Sequence, residues 1–358
     1  MARFERLVLH IGDTKAGSTT LQHVLTRGRD GAMGFDIAFP GRDANHNAVA
    51  DALRAVDGGP GPAECRRRLA RFRADLRAAP SAACCVISAE NLSFLAPARL
   101  REFIEAELRP HAGRIEIVHY LRPHVARMRS GYAESVKIGL EFRPFPDFVQ
   151  QTTRQGRFCR SGVVQACRET FGDAYIPRPL IRAHLVGGDI VTDFLALATG
   201  AAQRPPQAPS LNQSLDCVAL GEIQRLQSGI RTRSRGLRHA VGYEFARRYA
   251  RQPSPVPTPR LGILPRAAGR LDGRYRRDAI ALDRALGLTA DGFSAALDRD
   301  LQAAQGGVAN PQDLPPNPAA LAASRGLRRW LALPLPDRVL AALLARRGAL
   351  AGAGSSDP

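Results

Sequence analysis

Short, uninterrupted apolar runs alternate with amphipathic stretches over the first half of the chain, and helical periodicity alone follows. Leu7-Val8-Leu9-His10-Ile11, CCVIS at 84–88 and IEIVHYL at 115–121 have the length and composition of strands buried on both faces. After the first run, Leu21, Val24 and Leu25 recur at helical spacing. ANHNAVADALRAV at 44–56 repeats the pattern, with Asn45 or Asn47 as its cap. Residues 65–79 form a strongly basic helix whose Leu69, Phe72 and Leu76 make the buried stripe. Pro97 to Leu108 and His124 to Lys137 read as helices flanking the third strand. Strands alternating with helices predict a mainly parallel central sheet with helices on both faces, a three-layer α/β/α fold with a helical second half.

That second half starts with helical stretches over 148–171 and a short, proline-bearing edge strand, YIPRPL, at 175–180. GGDIVTDFLALATG at 187–200 is a turn and an amphipathic helix, and Ala201 to Pro209 a Pro-rich linker. An Arg-laden helical region covers about 213–250, then a PSPVPTP loop at 253–259 and helices at 274–286 and 290–301. From about Gln305 the composition shifts to Ala, Pro and Gly. The expected division is therefore an α/β domain over 1–304 and an Ala/Pro/Arg-rich tail over 305–358, largely disordered with one short helix. The only Trp, Trp330, lies in a stretch where apolar residues interleave with Arg, and peripheral membrane contact through the tail is the alternative reading.

A net charge of +18 suits either a solvated basic surface or the attraction of polyanions. Aromatic residues at 6% are too sparse for base-stacking platforms, so no specific nucleic-acid partner is expected. Met1 to Arg6 leads straight into the first strand, and no apolar run reaches the roughly 18 residues of a membrane span, which makes cytoplasm the default location. The six cysteines show no metal-ligand spacing and read as reduced and structural.

The candidate chemistry begins where the first strand ends. Gly12 and Gly17 bracket a tight loop, Lys15 puts a positive charge inside it, and Ser18, Thr19 and Thr20 open a helix. A strand, a Gly-bounded loop and a helix N-terminus make an anion site, because the first helical amides lack partners. In the ATP-binding pattern GxxxxGK[ST] the Lys follows the second Gly, whereas here Ser18 stands in that place. Glu90 lies just beyond the second strand and Arg122 just beyond the third, at the carboxyl ends where open parallel sheets bind ligands.

KAGSTT (15–20) resembles the K-[ST]-G-[ST]-[ST] loop of sulfotransferases that use 3′-phosphoadenosine 5′-phosphosulfate (PAPS), with Ala16 in place of the usual hydroxyl residue. LRPHVARMRSGY (121–132) resembles their 3′-phosphate element, an Arg closing a strand with a Ser eight residues on, here Arg122 and Ser130. Residues 177–195 and 210–216 look like the downstream region of bacterial sulfotransferase-like proteins, and the resemblance covers roughly 1–300. No RKGxxGxW-type loop is present, and RTRSRG at 231–236 is the candidate substitute.

The resemblance implies a P-loop-like sulfotransferase with PAPS as nucleotide co-substrate and an unidentified acceptor hydroxyl or amine on a glycan, lipid or small metabolite. Lys15, Ala16, Gly17, Ser18, Thr19 and Thr20 would hold the 5′-phosphosulfate, Lys15 stabilising the leaving charge. Arg122 and Ser130 would hold the 3′-phosphate, Glu90 would be the general base, and no metal is implied. His46 is the fallback base, although a structural role fits it better, and His10 and His119 read as core residues. The rival readings are a P-loop kinase or NTPase, and a non-enzymatic basic protein that binds polyanions on a degenerate scaffold.

Overall fold

The computed structural model describes residues 3–13, 17–28, 35–54, 61–202, 215–251 and 259–353. Lys15 and Ala16, most of the Pro-rich linker and most of the PSPVPTP loop lie outside the described residues. The chain divides into two compact units, one of Met1–His124, Cys159–Asn212 and Arg276–Leu297, the other of Val125–Phe158, Gln213–Tyr275 and Asp298–Pro358.

The first unit is built on a parallel sheet of β1 (Phe4–His10), β2 (Ile37–Ala38), β3 (Cys84–Ser88), β4 (Ala112–Leu121) and β5 (Tyr175–Pro179). Its order is β2-β3-β1-β4-β5, so the chain turns back on itself between β1 and β4. Ligands bind at such switch points, beyond the carboxyl ends of the strands. Along β1, Val8 packs with Leu21, Val24 and Leu25 of α1 (Ser18–Arg27) and with Val191, Phe194 and Leu195 of α8 (Ile190–Thr199). Leu7 and Leu9 face the other way and are equally buried, the two-sided burial that the apolar runs demand.

Helices α2 (Asn47–Arg54), α3 (Pro62–Ala78) and α4 (Pro97–Phe103, prolonged by a wider turn over Ile104–Leu108) complete the crossovers. Two-residue β2 carries too little pattern to be read in advance. The stretch expected to be helical over 148–171 is two helices, α6 (Phe145–Gln155) and α7 (Ser161–Phe171). Gly156 ends α6 in the left-handed region at φ 59°, a conformation that costs other residues energy. α5 (His124–Lys137) starts directly after β4, as expected.

In the second unit Tyr132, Phe145 and Phe148 form an aromatic core, and the Gln224 amide donates to the Tyr132 hydroxyl and the Arg143 carbonyl. The region expected over 213–250 is α9 (Cys217–Gly229) and α10 (Arg235–Ala250), with α11 (Pro265–Leu286) and α12 (Phe293–Ala304) beyond. Gly242 lets α10 close on the Lys137 carbonyl, which an added Cβ would meet at 1.8 Å.

The residues expected as a largely disordered tail are helical instead: α13 (Pro318–Leu331) and α14 (Asp337–Ala353). Asn317 caps α13 by accepting from the Ala320 N–H. Ala320, Ala323 and Leu327 form one buried stripe, Leu340 and Leu344 another. Alanine, read as a sign of low complexity, here permits close packing.

Candidate functional site

The strand register brings the carboxyl ends of β3, β1 and β4 together. His10 pairs with Ser88 on one side and with Val118 on the other. The chain then continues along β4, since the Ile11 N–H donates to the Val118 carbonyl and the Asp13 N–H to that of Tyr120, both at 2.9 Å. It re-enters at Gly17, φ 81°, where a Cβ would stand 2.9 Å from the Ile190 side chain. Glycine is required there twice over, by conformation and by space. α1 follows with no acidic residue in its first turn and, among the described residues, no side-chain cap, a helix start whose dipole suits an anion.

His10, expected as a core residue, is the largest addition to the candidate set. It is wholly buried, edge-on to Tyr120 and Phe194. Ser88 Oγ accepts from the Gln22 amide at 3.0 Å and lies 2.8 Å from His10 Nδ1. Nε2 has no hydrogen-bond partner among the described residues, and neither has Ser18 Oγ. A Cβ placed on Gly12 would lie 2.8 Å from Nε2 and 3.6 Å from Ser18 Oγ. The missing side chain thus lets the backbone at Gly12 pass close to two buried polar atoms at the start of α1. Burial first, and then the charge of His119, push His10 down to about 3, so it is neutral at ordinary pH. A polar residue ending an apolar strand just before a glycine loop is the sequence signal for it.

Asp13 is a carboxylate inside a cationic loop. It is fully buried and accepts from Arg160 Nε at 3.1 Å and from the Arg122 N–H at 3.3 Å. Burial alone would raise its pKa, but His119, Arg160 and the Arg122 amide hold it below the usual carboxylate range. Arg160 precedes α7, and its own N–H donates to Asp278, as do the Ser161 N–H and hydroxyl. Asp278 also meets His124 Nε2 at 2.7 Å. No pattern in the sequence pointed to Arg160.

Among the residues expected at the site, Arg122 directly follows β4 and is tied to the loop through its amide. Ser130 belongs to the second unit, where its hydroxyl donates to the Arg127 carbonyl at 3.1 Å. Glu90, half-buried, opens a 3₁₀ turn two residues after Ser88. Asn91 pins that turn, its N–H donating to Asn47 and its side chain to Asp51. His46 accepts from the Ser88 N–H through Nδ1 at 3.1 Å and meets the Pro40 carbonyl through Nε2 at 3.1 Å, bonds that fit a structural role. In the 231–236 stretch Arg233 Nε and the Ser234 N–H both donate to Asp337. No cluster of three or more metal-ligating side chains occurs among the described residues.

No family model matches the sequence, and no curated protein does. Among solved structures, the fold is similar to the crystal structure of a sulfotransferase from Alicyclobacillus acidocaldarius, with 13% identity and a TM-score of 0.49 over 84% of this chain and 100% of that one.

Proposed function

We propose that this chain is a PAPS-dependent sulfotransferase and that the space above Gly12 receives the 5′-phosphosulfate end of the nucleotide. The observation that carries the reading is the pair of buried polar atoms without partners among the described residues, His10 Nε2 and Ser18 Oγ, beside the N-terminus of α1. With its proton on Nε2, His10 and the Ser18 hydroxyl are two donors beside a helix N-terminus, which fits an oxyanion, and the KAGSTT and R-x₇-S resemblances specify which one. Bound there, the nucleotide would supply the sulfuryl group that is transferred.

Each residue then has a task. Lys15 and the amides of Gly17 to Thr19 neutralise the anion, and Lys15 stabilises charge on the departing phosphate oxygen. His10 stays neutral and, with its ring proton on Nε2, donates to the anion while Nδ1 meets the Ser88 hydroxyl. Ser18 donates its hydroxyl. Arg122 and Ser130 are carried to the 3′-phosphate by the resemblance alone. Glu90 takes the proton from the attacking acceptor hydroxyl or amine, as a carboxylate beyond β3, the strand next to β1.

Incubation with PAPS and detection of released adenosine 3′,5′-bisphosphate tests the activity, with water as the stand-in acceptor. Glu90→Gln should slow release by about 10²–10⁴-fold while bisphosphate affinity stays unchanged. Release at the wild-type rate would remove Glu90 from the base role.

A further inference from the structure

The turn between α13 and α14 is built unlike the rest of the second unit. Residues 332–336, Ala-Leu-Pro-Leu-Pro, are five consecutive apolar residues and all are exposed. Leu333 is 42% and Leu335 37% exposed. Runs of three or four exposed apolar residues oppose solubility unless they serve a function. The turn is also stiff. Two prolines fix its φ angles, the Leu333 N–H donates to the Trp330 carbonyl, and the Leu335 N–H donates to that of Leu333. The apolar surface continues onto α14, where Val339 and Leu343 are exposed while Leu340 and Leu344 are buried.

The two helices are basic: Arg325, Arg328, Arg329, Arg338 and Arg346 are exposed on them, Arg328 facing Glu222 at 3.8 Å. The one acid between 318 and 353 is Asp337, whose carboxylate is taken up by Arg233 and the Ser234 N–H. A tip of a few residues falls far short of the roughly 20–30 residues per side of a stable protein interface. It does match a bilayer, whose headgroup–acyl boundary accepts short apolar wedges and whose anionic phosphates pair with guanidinium forks.

We propose that this Leu-Pro tip and its arginine collar dock the second unit onto an anionic lipid surface. The inference stands apart from the nucleotide reading, since it uses none of the residues assigned to the nucleotide.

The full chain, incubated with vesicles of phosphatidylcholine alone or with about 30 mol% phosphatidylglycerol, supplies the test by co-sedimentation. Trp330, the single Trp, reports from next to the tip through quenching by brominated acyl chains. Binding should be about tenfold or more tighter to the anionic vesicles, with Trp330 quenched. Leu333→Ser with Leu335→Ser, an exposed pair whose exchange leaves the melting temperature in place, should weaken binding about tenfold or more on both vesicle types. Arg329→Glu with Arg338→Glu should abolish the preference for anionic lipid. The proposal is overturned if neither vesicle binds, or if the Leu pair can be exchanged without loss. It is also overturned if the tip supports only concentration-dependent self-association in size-exclusion chromatography.

Discussion

Arg160 Nε stands 3.1 Å from the buried Asp13 carboxylate, and this pair decides the sign of the charge inside the loop. An aspartate two residues from Lys15 opposes an incoming anion unless a cation cancels it. Arg160 does so from the residue preceding α7, with its own backbone held by Asp278. Arg160→Leu should therefore destabilise the fold by about 3–5 kcal/mol, because it strands a buried carboxylate. Asp13→Asn in the same chain should recover most of that loss, and chemical denaturation of the two single variants and the double variant measures the coupling. Additive losses would show that the pair is incidental.

His10 and Ser18 should act as donors to the anion. His10→Ala should weaken phosphate-group binding about tenfold, the worth of one charge-assisted hydrogen bond. His10→Gln offers an amide N–H near the Nε2 position and should recover part of the affinity, whereas His10→Asn should not. Equal loss in all three, read by calorimetry, would make His10 a packing residue only.

The same histidine sets a pH dependence of stability. It titrates near 6.5 when unfolded and is pushed down to about 3 in the fold. Between those values the unfolded chain binds a proton that the native chain refuses. Stability from this group is complete above about pH 6.5 and is lost as pH falls, at roughly 1.4 kcal/mol per pH unit. Asp278 adds a second loss at lower pH. Burial would raise it from its ordinary 3.8, but His124, Ser161 and the Arg160 amide bring it down to about 2, so its share disappears between those two values. Urea midpoints measured from pH 7 to 4 should fall, and His10→Gln should flatten the fall by one proton. An unchanged slope would acquit His10.

The helices beyond residue 304 should be part of the fold. Leu340 is wholly buried, and Leu340→Ala should cost about 2–5 kcal/mol. Truncation after Ala304 should yield insoluble or weakly cooperative protein. A truncated chain that melts as sharply as the full one would contradict the packing of α13 and α14.

The sheet was legible because strands buried on both faces have to be continuously apolar, and three of them are. β2, two residues long, had no pattern to show. The turn from β1 into α1 could be read because Gly12 and Gly17 leave a mark in sequence, although Lys15 between them lies outside the described residues. His10 was hidden by its setting: inside LVLHI it looks like any satisfied core polar group. Only the Ser88 hydroxyl at Nδ1 and the unpartnered Nε2 beside Gly12, among the described residues, set it apart. Arg160 was illegible for another reason, since its partner Asp13 lies 147 residues away. The tail was misread because Ala320 and Ala323 pack by being small, which composition alone cannot separate from low complexity.

Isothermal calorimetry of the full chain with adenosine 3′,5′-bisphosphate, AMP and ADP, with and without Mg²⁺, tests the central claim most directly. The account predicts metal-independent binding of the bisphosphate, tighter than AMP by about tenfold or more, the worth of the 3′-phosphate contacts. Equal affinity for AMP and the bisphosphate, or binding of ADP that needs Mg²⁺ and exceeds that of the bisphosphate, would contradict it.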